Sequence, residues 1–154
     1  MALSSIESHK SSIRNTDANI IAIMAYLAAG IIGWIPIVQY LSWIIPLLIF
    51  LTEKQSKFVK FHAVQSFIIT LIDSVISFIL IVIIRNTVII NAIADMENTL
   101  GAFAWMAILT GLATVVSLIY SVFAIIALVN AYQYKLYKIP VIGSIAEKIA
   151  AKKG

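Results

Sequence analysis

The chain contains no cysteine, so disulfides, thiolate metal sites and cysteine nucleophiles are excluded. Histidine is nearly absent: His9 and His62 are the only two. Two histidines are too few for a metal site without carboxylates to join them, and no metal is expected. Charge is scarce as well. Charged residues make up 12% of the chain, against about one quarter in soluble domains. No glycine-rich phosphate loop, nucleophile elbow, HExxH helix or close pair of carboxylates occurs, so neither an enzyme nor a cofactor is expected.

What is abundant is apolar surface. Hydrophobic residues form 62% of the 154 residues, and mean hydropathy is +1.02. A domain of this size cannot bury so much apolar area within itself, so lipid is the expected solvent. Residues 1–17, "MALSSIESHKSSIRNTD", are polar and lack the apolar core of a cleavable signal. Ser4 and Glu7 have capping-box spacing, which predicts a short surface helix there.

Three apolar stretches follow: Ala18 to Leu51, Ala63 to Ile84 and Leu100 to Val129. The first is too long for one span of a hydrocarbon core about 30 Å thick. Gly30, Gly33 and Pro36 interrupt it, which predicts a short hairpin, Ala18 to Gly33 and Val38 to Leu51. The expected fold is all-α: an integral membrane bundle of four transmembrane helices over 18–131. A basic C-terminal segment over 132–154 completes the chain.

Basic residues assign sides. Four spans put ten of the eleven lysines and arginines on one side and leave Arg85 in a loop over 85–99 with Asp95 and Glu97. The positive-inside rule makes the crowded side cytoplasmic, so both termini are expected on the cytoplasmic face. The same lysines flank membrane ends and would meet anionic headgroups, which argues against nucleic acid as a partner. After Pro140, Ile142, Ile145 and Ile149 oppose Lys148, Lys152 and Lys153, the pattern of an amphipathic helix lying on the membrane face. "TEKQSKFVKF" reads as its interfacial counterpart before the third span.

Polar residues inside the spans fall into stripes. His62, Ser66, Thr70, Asp73 and Ser77 share one face of the third helix. Val64, Phe67, Leu71, Val75 and Phe78 occupy the opposite face, which suits lipid. Thr110, Thr114, Ser117 and Ser121 form a matching stripe on the fourth helix, and antiparallel packing sets Asp73 level with Thr114 and Ser117. The hydroxyls can serve as interhelical glue. Asp73 stands apart, because a carboxylate charge at mid-bilayer costs about 2.5 to 3.5 kcal/mol. It is expected to be protonated and hydrogen-bonded, or reached by water. Three roles stay open for it: a structural hydrogen bond, a proton or cation path, or a partner subunit's counter-ion. In the first helix Ala25, Ala29 and Gly33 form a small-residue seam for close packing.

The order of elements and two motifs carry a family resemblance. Phe58-Val59-Lys60-Phe61-His62-Ala63 with Gln65, and Ile139-Pro140-Val141-Ile142-Gly143, resemble the Tic-twenty-like family of plastid import subunits and their prokaryotic relatives. The resemblance implies a four-helix subunit and carries no catalytic residues. The leading expectation is therefore a non-enzymatic subunit of a larger membrane complex, translocon-like by resemblance. Its partners would be other membrane subunits or further copies. The alternative is a small proton or cation channel or carrier built on Asp73 and the two hydroxyl stripes.

Overall fold

The computed structural model describes residues 4–94 and 96–152, excluding the side chains of residues 88 and 91–100. The architecture is all-α, with five α-helices and a two-stranded ribbon that ties the ends of the chain together. Ser4–Ser5 (β1) pairs antiparallel with Lys135–Leu136 (β2). The surface helix expected from Ser4 and Glu7 is thus a strand at its first residues, because β2 offers backbone partners there.

Helix α1 spans Ala18–Gly33. Its buried residues include Ala18, Ala22, Ala25 and Ala29, spaced four, three and four apart. These methyl-sized side chains let neighbouring helices approach closely. The seam thus begins earlier than Ala25, and Gly33 is only partly covered. Pro36 ends the helical path by disfavouring helical backbone at Ile35. Ile37 then turns the chain with φ 70° and ψ −52°, a strained γ-turn closed by the Val38 amide, which donates to the Pro36 carbonyl at 2.8 Å.

The second arm is not one helix over Val38 to Leu51. It is a 3₁₀ turn, Val38–Leu41, followed by α2, Ile44–Thr52. Pro46 explains the break, since proline is tolerated in a helix only within the first turn. Helix α2 accordingly starts at Ile44.

The remaining two helices are longer than the apolar runs that announce them. Helix α3 is Lys57–Ala94 and α4 is Met96–Tyr132. The loop expected over 85–99 is helical from 85 to 94 and again from 96; Asp95 lies outside the described residues. Arg85 and its polar neighbours mark a change of surroundings, but no glycine or proline lies between them and Thr99 to stop a helix.

Two segments, Lys57–Thr87 and Gly101–Tyr132, are long and apolar enough to cross a membrane. Along them Phe78, Leu112, Leu118 and Val122 are more than half exposed. These are faces for hydrocarbon, and the protein is a small membrane protein.

The packed core lies at the end of the bundle where the chain begins and ends. Ala18 and Ala22 meet Phe58, Val59 and Ala131. Tyr26 and Ile69 meet Ala127, Ile139 and Ile142. Helix α5, Ile142–Lys152, brings Ala146 and Ala150 against Phe61 and Val64. Phe58, Val59 and Phe61 are therefore core residues and not an interfacial segment, and Val64 faces α5, not lipid. The N-terminal segment and α5 cover this stretch and remove it from the membrane surface. Within α5 the buried face is Ile142, Gly143, Ala146 and Ala150, while Ile145 and Ile149 are exposed. Lys148 and Lys152 are exposed too; Lys153 lies outside the described residues.

Candidate functional site

The polar face of α3 divides among three neighbours. At its start, His62 is fully buried, with Nδ1 3.2 Å from the Tyr26 hydroxyl of α1. Phe58 and Phe61 enclose its ring, with ring centroids 4.7 and 5.2 Å away. Gln65, equally buried, donates to the Tyr137 carbonyl at 3.0 Å and to the Tyr26 hydroxyl at 3.3 Å. Its own carbonyl oxygen accepts from the Ile139 amide at 3.0 Å. One amide thus binds α1 and the chain leading into α5. Ser66 donates to the Ala25 carbonyl at 2.6 Å. "HAVQS" therefore faces α1 and the C-terminal segment, where the spacing had pointed it towards α4. A buried amide with both ends satisfied holds a unique arrangement, since any other would strand its polar atoms.

Two turns further on, the face meets α4. Ser117 Oγ donates to Asp73 Oδ1 at 2.7 Å. Thr70 bonds back to the Ser66 carbonyl at 2.9 Å. Thr114 and Ser121 similarly satisfy carbonyls of their own helix, at Thr110 and Ser117. Thr110, Thr114 and Ser121 are exposed and Ser77 is half-buried. The two hydroxyl stripes do not zip together, and only Ser117 bonds across to Asp73. Neither ion pair of the described residues involves Asp73; they join Lys10 to Asp17 and Lys138 to Glu147.

Asp73 opens into a cavity of about 250 Å³ whose walls include Tyr26, Ser42, Ser66, Thr70 and Ser117. It sits beside the turn of the α1–α2 hairpin, against Gly30, Gly33 and Trp34. The hairpin is anchored to α3 there by Ser74, which donates to the Gln39 carbonyl at 3.3 Å.

A second polar centre lies at the opposite end of the hairpin, around Glu53, which is 2% exposed. Its Oε1 accepts from the Ser12 hydroxyl at 2.7 Å, the Ser12 amide at 3.2 Å, and the Gln55 and Ser56 amides at 2.9 Å each. The Ser11 hydroxyl donates to Oε2. Burial opposes the charge, but these donors outweigh it and hold the carboxyl down at about 2. Ser56 caps α3 by accepting from the Val59 amide at 3.1 Å, and its hydroxyl lies 2.8 Å from His9 Nε2. Residues 9–17 are thereby strapped over the start of α3. Sequence reasoning passed over Glu53, although a carboxylate three residues before a capping serine was its signal.

The family described as the magnetosome magnetite crystal formation protein family matches residues 17–146. The chain belongs to that family. Among relatives, the UPF0132 membrane protein MJ1443 of Methanocaldococcus jannaschii is 34% identical over 132 residues, covering 86% of this chain and 87% of that protein. The UPF0132 membrane protein MJ1527 of the same organism is 30% identical over 108 residues, 70% of this chain. That second match spans only 61% of MJ1527. No solved structure matches.

Membership in this family overturns the Tic-twenty-like resemblance and the translocon-like role attached to it. The residues that carried the resemblance explain why it misled. Phe58, Lys60, Phe61, His62, Ala63, Gln65, Ile139 and Gly143 are buried where α3, α5 and the N-terminal segment meet. They record how a hairpin is packed against its own termini, which says little about a partner. Pro140, in the same stretch, is exposed. The family match takes in Glu53, Asp73 and the cavity, whereas Ser11 and Ser12, whose hydroxyls hold Glu53, precede it.

Proposed function

We propose that this non-enzymatic membrane protein works through Asp73, which takes up and releases a proton or small cation inside the bilayer. The observation that carries this is a carboxylate on an apolar α3, bonded to Ser117 and open to a hydroxyl-lined cavity, with no basic residue in the cavity wall. A structural hydrogen bond alone would be served by asparagine or serine without the cost of a charge in lipid. The family is described by magnetite crystal formation, yet this cavity supplies one carboxylate among hydroxyls. Among the described residues no group of three histidines, cysteines or carboxylates converges. That donor set suits a proton or an alkali cation better than iron.

The test is flux. In vesicles holding a pH-sensitive dye, under a potassium-diffusion potential, the wild type should acidify the lumen and Asp73→Asn should not. Equal rates in the two proteins, or no flux in either, would overturn the proton reading.

Both termini are placed in the cytoplasm on the lysine and arginine asymmetry. Helix α1 is about 24 Å long at 16 residues, so its hairpin with α2 enters and leaves on one side whether or not it reaches across. Gln55 is exposed while Ser56 is buried, so a cysteine at Gln55 is the informative label. It should react only after the membrane is opened; reaction in intact cells would reverse the orientation.

A second reading, a subunit of a larger assembly or of a self-associating one, draws on length. Helix α3, at 38 residues, is about 57 Å long against about 30 Å of hydrocarbon. Ile89, Ile90, Phe103 and Trp105, near the far ends of α3 and α4, are all at least half exposed and would need cover outside the bilayer.

A further inference from the structure

The Asp73 cavity shares Tyr26, Gly30, Trp34, Ser121 and Ala124 with a larger groove of about 520 Å³. That groove runs between α1 and α4, and Leu27, Ile31 and Ile125 on its rim are 46%, 59% and 61% exposed. Such side chains face hydrocarbon, so the carboxylate is approached sideways from lipid. The passage is roomy at Gly30, where an added Cβ would meet nothing within 4 Å.

The chemistry along this passage selects its occupant. A hydrated inorganic ion has no reason to enter from hydrocarbon, whereas an organic cation with shielded or delocalised charge partitions there readily. Inside, it would find one carboxylate beside the aromatic residues Tyr26 and Tyr120, with Trp34 exposed at the mouth; aromatic rings attract cations. The titratable groups in the cavity wall are Asp73 from α3, Tyr26 from α1 and Tyr120 from α4, and the 3₁₀ segment and its flank add only Ser42. No positive charge opposes entry.

We infer that the joined cavity and groove form a binding site for a membrane-partitioning organic cation of the quaternary ammonium or phosphonium class. The cation enters between α1 and α4 and seats its charge against Asp73. This rests on the reading of Asp73 as the exchanging group and names what it exchanges, since cation and proton compete for one carboxylate.

The probe is tetraphenylphosphonium, measured by equilibrium dialysis on the full-length protein in mild detergent. Saturable binding to the wild type is expected. Asp73→Asn should lose affinity about tenfold or more, as when one partner of a buried charge pair is removed. Gly30→Leu fills the groove and improves helix propensity; it should keep wild-type helicity and melting temperature but lose binding. Absence of saturable wild-type binding, or full affinity in either variant, would overturn the inference. Asp73-dependent proton flux without probe binding removes the cation site alone. Probe binding lost in both variants, without proton flux in the wild type, supports the site and removes only the proton reading.

Discussion

Glu53→Ala should lower the free energy of unfolding by about 3 kcal/mol and release the N-terminal strap from α3. The size follows from the number of donors stranded. Two serine hydroxyls and three backbone amides converge on one buried carboxylate, and each donor left without an acceptor costs about 1–3 kcal/mol before relaxation and water recover part of it. Glu53→Gln keeps an acceptor for the amides and should lose only about 1 kcal/mol.

The dependence on pH has a fixed sign. The folded carboxyl titrates at about 2 instead of its ordinary 4.5, so its contribution is complete above pH 4.5 and lost as the pH falls through 2. Thermal unfolding in detergent between pH 6 and pH 2 should therefore show wild type and Glu53→Ala converging at the acid end. A constant gap would show that the charge is not what holds the strap. Limited proteolysis within residues 4–16 should be faster in Glu53→Ala throughout the neutral range.

Among the described glycines, Gly143→Ala should be the most damaging. A Cβ there would stand 2.6 Å from both Cα and Cβ of Lys138, and backbone cannot swing aside as a flexible side-chain end can. The first turn of α5 is closed at this point by the Gly143 amide, which donates to the Ile139 carbonyl at 2.7 Å. A loss of about 2–3 kcal/mol is expected, at the upper end of ordinary overpacking. It should come with α5 lifting from Phe61 and Val64. Gly111→Ala is the control: a Cβ there meets nothing within 4 Å, and the change should stabilise α4 by about 1 kcal/mol. Thermal unfolding in detergent, with protease cleavage in 135–141 as a second readout, separates the two. Equal melting temperatures would show that the segment around Lys138 yields freely.

The legible parts of this protein were those set by periodicity and composition. Scarce charge and abundant apolar surface identified lipid as the solvent, the 3.6-residue repeat gathered the polar residues on one face of each helix, and antiparallel packing set Asp73 level with Ser117. Helix ends were less legible, because charge alone does not stop a helix and no glycine or proline stands between Arg85 and Thr99. Residues 85–94 continue α3 for that reason. In the other direction, Pro46 divided an apolar run that composition alone would join.

The sequence by itself determined the solvent, the helical class and the faces on which polar residues gather. Tertiary structure decided which neighbour each face meets. His62, Gln65 and Ser66 turn to α1 and the C-terminal segment, and Asp73 turns to α4, although all four lie on one side of α3. The physical reason is that helix geometry fixes angles about one axis and carries no information about where the next axis lies. That was set by the alanine seam of α1, which draws α1 onto α3, and by the shortness of the α1–α2 hairpin, whose turn comes level with Asp73. Glu53 shows the same division. Its charge was written in the sequence, but its burial depended on a strap that returns from forty residues earlier, and only folding brought the two together.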